Sequence, residues 1–332
     1  MKRKLIFTML LFLITLYVPF SLFGQDFELK GNVLVKYNGN ASNVTIPKNV
    51  TSIEDYAFYK NINLASIDIP NSVTSIGQGA FSGCTSLASV TIPSRVTSIG
   101  RWAFHNCSSL TSITIPSRVT SIREWAFAVC EGLTNITIPA SVTSIESWAF
   151  FECRNLTDIT IPKNVTSIGD HAFYECASLT NVTVPSSVTS IGDEAFYGCT
   201  SLTSITVDNK NRTYSSVDGV LFNKDKTALI QYPVGKQESN YTIPEGVTSV
   251  GVGAFSQCSG LTNITIPSSV TSVGDYTFFN CGNITSVTIP SSVASIGKRA
   301  FADCAKTIFT TNFHLTNATI FNCFHLFSND FS

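Results

Sequence analysis

Residues 84–104 read CTSLASVTIPSRVTSIGRWAF, and the spacing of their side chains decides the fold. Leu87, Val90 and Ile92 are interleaved with Ser89 and Thr91, the alternation of a strand with one buried face. Pro93 ends that strand. Val96 and Ile99 then bracket Thr97 and Ser98 in a second short extended segment, Gly100 permits a turn, and Ala103 and Phe104 return to the core.

The same pattern recurs along the chain. Phe58, Phe81, Phe104, Phe127, Phe150, Phe173 and Phe196 lie 23 residues apart, and after one interruption the series resumes at Phe255, Phe278 and Phe301. Prolines from Pro47 to Pro185, and again at Pro244, Pro267 and Pro290, keep the same period. Two unrelated residue types sharing one period imply a stack of coils, each one turn of a solenoid. A single coil buries too few apolar side chains to offset the conformational entropy of ordering it, so the coils must stack to fold.

Composition narrows the function classes. Hydrophobic residues make up 44% of the 332 and charged residues 13%, and Lys plus Arg (21) nearly cancels Asp plus Glu (22). The field that draws proteins to nucleic acid is missing, so nucleic acid is not expected as a partner. Lys2, Arg3 and Lys4 precede an apolar run from Leu5 to Val18 and then Pro19, Ser21 and Gly24, which reads as a secretory signal peptide over residues 1–24. The mature chain is expected to be secreted or held at the cell surface, with no membrane span.

Nine cysteines, Cys84, Cys107, Cys130, Cys153, Cys176, Cys199, Cys258, Cys281 and Cys304, each follow the periodic Phe by three residues. In-register coils about 4.8 Å apart hold parallel side chains too far apart for a disulfide, whose Cβ atoms want about 3.8 Å. A ladder of buried thiols is expected, and Asn61 in the same column of an early coil points to a weak donor meeting loop carbonyls. No histidine accompanies the ladder at ligand spacing, so neither a metal nor another cofactor is expected.

The unit Leu-x-x-Ile-x-Ile-Pro-x-x-Val-x-x-Ile-Gly-x-x-Ala-Phe-x-x-Cys resembles that of the BspA-like leucine-rich repeat proteins, over residues 43 to 306. The resemblance implies an α/β-type repeat, mostly β: a right-handed leucine-rich-repeat solenoid of about ten 23-residue coils, here spanning residues 25–306. The segment from Tyr214 to Lys226 is similar to an interruption found in that family and gives one β-hairpin insertion within residues 208–240, expected to project from the coil. Thr307 stands where the pattern wants Leu, so residues 307–332, with Cys323, read as an irregular tail. Proteins of this kind act as adhesins, which implies attachment to host or matrix proteins or to cell-surface glycans. An inert structural or coat role is the alternative.

Binding must lie in the columns that vary. Two residues before the periodic Phe stand Tyr56, Gly79, Trp102, Trp125, Trp148, His171, Glu194, Gly253, Tyr276 and Arg299, a column that holds all three tryptophans. At coil spacing Trp102, Trp125 and Trp148 would form an aromatic ridge about 10 Å long, with Tyr56, His171 and Tyr276 as further candidates. Neighbouring rings packing only on one another is the competing reading. A second candidate is the hydroxyl face of Ser89, Thr91, Ser112, Thr114, Thr183 and Thr206, which resembles an ice-binding array but is broken by Asn135 and Asp158. His105, His171, His314 and His325 bear no repeating relation to a nucleophile, so no enzyme is expected.

Overall fold

The computed structural model describes residues 26–304 and 308–311. They build a mostly-β solenoid of about eleven coils of some 23 residues, with no helix among the described residues. Short strands such as Ser112–Thr114 and Asn135–Thr137 pair parallel and in register, Ile113 beside Ile136. A second ribbon forms from the Ser-Ile pairs, with Ser121–Ile122 beside Ser144–Ile145 and that beside Ser167–Ile168. Strand alternation explains which side chain goes inside: Ile113 is buried between exposed Ser112 and Thr114. The turn between the ribbons is set by proline, whose carbonyl accepts the amide of the Val three residues on, as in Val96 N to Pro93 O at 3.0 Å.

The third side of each coil is a tight turn that carries the periodic Phe. These rings stack through the centre of the solenoid; Phe104 and Phe127 are 5.6 Å apart and 3° from parallel, and Phe173 and Phe196 are 5.6 Å apart and 2° from parallel. Backbone bonds continue on this side as well, Phe104 N donating to Ala126 O at 2.9 Å. The nine ladder cysteines are free thiols. Cys84 Sγ donates to Phe58 O at 3.1 Å, Cys107 Sγ to Phe81 O at 3.2 Å and Cys130 Sγ to Phe104 O at 3.1 Å, so each thiol adds a second donor to a carbonyl of the previous coil that already accepts a turn amide, as Phe58 O does from Asn61 N. Burial pushes the Cys84, Cys130 and Cys199 thiols up to about 12.

Both ends of the stack are finished by segments that lie outside the repeat pattern. Phe27–Lys30 and Val33–Tyr37 form an antiparallel hairpin, and the second strand pairs parallel with Ser52–Ile53. Tyr37 takes the Phe position and stacks on Phe58 at 5.1 Å. At the other end Ile308–Thr311 pairs with Ser286–Ile289, Ser286 opposite Ile308, a step one residue shorter than the repeat. The expected signal peptide over residues 1–24, Cys323 and the rest of the tail lie outside the described residues.

The insertion does not project. It forms three strands, Tyr214–Val217, Val220–Asn223 and Ala228–Gln231, and the last pairs parallel with Ser249–Val250 as a coil strand of the solenoid. Val220, Leu221 and Phe222 are buried, and Tyr232 occupies the Phe position and stacks on Phe255 at 5.2 Å. Three apolar residues in succession need cover on both faces, which a free hairpin could not give them. The insertion is fastened by buried Asn211, whose Nδ2 donates to Pro185 O and Val188 O while its Oδ1 accepts the amides of Thr213 and Tyr214. Tyr214 Oη in turn accepts the amide of Ile191 at 2.8 Å. The hydrophobic core accordingly divides into two clusters that meet at this segment.

Candidate functional site

The column two residues before the Phe sits in the turn face with its backbone in the left-handed region: φ is 58° at Trp125, 61° at Trp148, 55° at His171 and 54° at Tyr276. Glycine suits that conformation and stands there at Gly79 and Gly253. A side chain in it costs roughly 1–2 kcal/mol. The same conformation recurs at Glu194 (φ 52°) and Arg299 (φ 49°), so it belongs to the turn of the repeat and is met by every residue type the column holds. Each amide is anchored to the next coil, Trp148 N to Asp170 O and His171 N to Asp193 O, both at 3.0 Å, which fixes the side chains at coil spacing.

The rings form a stack, but its membership differs from the ridge of three tryptophans. Trp125 and Trp148 lie 4.9 Å apart and 6° from parallel, and Trp148 and His171 lie 3.8 Å apart and 3° from parallel. His171 Nε2 is 3.1 Å from Glu194 Oε2, while His171 Nδ1 is buried without a hydrogen-bond partner. Among the described residues Trp102 takes no part in ring stacking; the ring nearest Trp125 on that side is His105, edge-on at 6.2 Å. Tyr56 lies at the far end, edge-on to Tyr59 at 5.6 Å, with Gln78 Nε2 donating to its hydroxyl.

A second aromatic column, one residue after the Phe, runs beside the first and was not singled out from the sequence. Phe151 and Tyr174 lie 5.3 Å apart, and Tyr174 and Tyr197 lie 4.5 Å apart and 12° from parallel. Burial raises both phenols above the usual tyrosine range. The signal was present in the recurrence of Tyr59, His105, Phe151, Tyr174, Tyr197 and Phe279 at one repeat position.

These columns enclose a groove of about 550 Å³, within the range of sites that hold small ligands. One wall is Trp148, Phe151, His171, Tyr174 and Tyr197; the other is Tyr276, Phe279 and Arg299. The coil between carries Gly253 and buried Ser256, small residues in both aromatic columns. Gly79 and Ser82 make the same pair earlier, but there the Tyr56 ring leans over Gly79, within 2.4 Å of where a Cβ would be. Over Gly253 the nearest atoms belong to Glu194 at 3.4 Å, held towards His171, and the groove stays open. Carboxylates rim it: Arg154 bridges Glu152 at 3.0 Å and Glu175 at 2.7 Å.

On the hydroxyl face some of the groups are spent between coils. Thr183 and Thr206 hydroxyls are 3.0 Å apart, Ser66 Oγ donates to Asn43 Oδ1 at 2.6 Å and Asn263 Nδ2 to Asn240 Oδ1 at 2.7 Å. Among the described residues no group of three or more His, Cys, Asp or Glu could hold a metal ion, and no helix is long and apolar enough to cross a membrane.

Comparison with known proteins places the fold. A leucine rich cell surface protein from Faecalibacterium prausnitzii is 30% identical with a TM-score of 0.68, over 90% of this chain and 95% of that one. A leucine-rich repeat protein from Eubacterium ventriosum is 29% identical with a TM-score of 0.63, over 81% of this chain and 68% of that one. One from Bacteroides ovatus is 25% identical with a TM-score of 0.54, over 84% and 87%. No curated protein matches the chain. The family model described as "BspA type Leucine rich repeat region (6 copies)" matches residues 35–155, 126–226 and 235–329. The chain therefore belongs to the BspA-type leucine-rich repeat family.

Proposed function

We propose that the chain is an exported adhesin, secreted or held at the cell surface, that attaches to host or matrix proteins or to cell-surface glycans through the turn face of its solenoid. The observation that carries this reading is the groove between Tyr197 and the Tyr276–Phe279 wall, where two aromatic columns, one of them holding Trp148, His171 and Tyr276 in left-handed backbone, surround an open space. Rigid rings with polar edges give much contact area for little ordering entropy, which suits them to recognition. The cell surface protein of Faecalibacterium prausnitzii supports the placement by likeness of sequence and fold. The test is retention of the purified chain on immobilised matrix proteins and on intact host cells, beside Trp148→Ser and Tyr197→Ser variants shown to remain folded. Attachment is expected for the parent and a loss of roughly fivefold for each variant, since an aromatic contact is worth about 1 kcal/mol. Equal attachment by all three would remove the groove from the function.

A further inference from the structure

The groove is a gap in a periodic stack. Phe151, Tyr174 and Tyr197 place a ring in each successive coil, the next coil on this face offers Ser256, and Phe279 stands one coil beyond it. On this face the coil of Gly253 follows directly on that of Glu194, as shown by the 3.4 Å approach above Gly253 and by Gln257 Nε2 donating to Tyr197 Oη at 3.0 Å. Tyr197 and Phe279 are thus two coil steps apart, roughly 9.6 Å at strand spacing. A ring inserted midway would lie about 4.8 Å from each, close to the 4.5 Å at which Tyr174 and Tyr197 themselves stack.

We infer that the groove takes one neutral pyranose ring of a glycan, seated between Tyr197 and the Tyr276–Phe279 pair in the place of the missing protein ring. The inference rests on the groove being the binding surface and names its ligand class. The shape of the gap, one ring step between two rings, selects a flat ring over a cationic side chain; the rim itself holds three carboxylates, Glu152, Glu175 and Glu194, against two guanidinium groups, Arg154 and Arg299. A paired carboxylate still keeps acceptor sites, because each carries about four lone-pair positions. A pyranose meets both features. Its C–H face packs on the electron-rich face of a phenol ring, and its several hydroxyls donate to Glu175 and Glu194 and accept from Arg299. An aromatic side chain of a partner protein fills the same gap but leaves that polar rim unused.

The slot can be closed with the chain's own chemistry. Trp stands at three positions of the Gly253 column at nearly the same φ, 61° at Gly253 and 54–61° at Trp102, Trp125 and Trp148, so Gly253→Trp puts a ring into the gap on a backbone that accepts one. Tyr197→Leu removes one stacking face while keeping an apolar side chain, and serves where the first variant fails to fold.

The purified full chain would be titrated onto surfaces bearing glucose-, galactose-, mannose- and N-acetylglucosamine-terminated neutral oligosaccharides. A Lys/Arg-rich peptide and a Phe/Tyr-rich peptide form parallel arms. Saturable binding to at least one neutral glycan is expected, weakened roughly tenfold or more by Gly253→Trp or Tyr197→Leu at unchanged melting temperature. Binding to no glycan in the panel, binding to a peptide alone, or glycan binding that both variants leave intact overturns the inference. If attachment to matrix proteins still depends on Trp148 and Tyr197 when no glycan binds, only the ligand class fails. If attachment ignores the groove altogether, the functional reading fails with it.

Discussion

Trp148 and His171 lie face to face, 3.8 Å between ring centroids and 3° from parallel, although 23 residues separate them in the chain. The contact follows from coil register: both residues occupy one repeat position, both backbones are left-handed, and both amides are bonded to the next coil. The imidazole also holds the carboxylate of Glu194, whose side chain lies 3.4 Å from the space above Gly253. His171 therefore links the ring stack to the open groove.

Replacing His171 with Ala should expose one face of Trp148 and release Glu194 over Gly253. The loss of one stacked pair costs about 0.5–1.5 kcal/mol, read as a shift in the chemical denaturation midpoint. Indole emission of the folded protein should change, and attachment should weaken. Unchanged emission with unchanged stability would show that the stack is not maintained in solution.

Cysteine burial gives a pH dependence with a definite sign. In the fold the Cys84, Cys130 and Cys199 thiols are raised from 9.0 to about 12, so between these values the folded chain keeps protons that the unfolded chain releases. Stability is then full below pH 9 and falls as pH rises, by on the order of 1 kcal/mol per pH unit for each such thiol. Denaturation in the presence of reductant should give a level midpoint at pH 7 to 8 and a steep decline above 9. A thiol reagent should label none of the eight buried thiols from Cys84 to Cys281 in the native state at pH 8, whereas the half-buried Cys304 is open to it; rapid native labelling of those eight, or a midpoint indifferent to pH 10, would contradict the buried ladder.

Asn211 is the fastening of the insertion. Asn211→Ala withdraws a side chain that serves four backbone groups, and each buried group left without a partner costs about 1–3 kcal/mol. Destabilisation of at least about 3 kcal/mol is expected, together with new proteolytic cleavage between Arg212 and Thr227. A projecting hairpin would predict neither, and Asn211→Asp, which keeps only the accepting half of the network, should fall in between.

The sequence made the scaffold legible because coil register is written as a period. Phe104, Pro93 and Cys107 each repeat at 23 residues, and each serves every coil in the same way, as ring stack, turn or carbonyl partner. The site was legible only in part. Trp148, His171 and Tyr276 were identified by their column, but Trp102 stands in that column too and joins no stack among the described residues, although Trp125 is its neighbour there. Tyr197 and Phe279 were missed because their column mixes rings with Ser82, Ala128 and Ser256, and a mixed column looks like simple surface variation. The groove itself arises from a small-residue coil beside an embedded insertion. How the insertion packs depends on long-range burial of Val220, Leu221 and Phe222, which no periodicity encodes.

Hydroxyl-radical footprinting of the aromatic residues, with and without a bound partner surface, tests the central claim most directly, because the chain carries its own controls. The account predicts protection at Trp148, Tyr174 and Tyr276, which line the groove, and none at Tyr56 or Trp102, which stand in the same column away from it. Protection at Tyr56 and Trp102, or along the Thr183–Thr206 face, with the groove rings unchanged would contradict it.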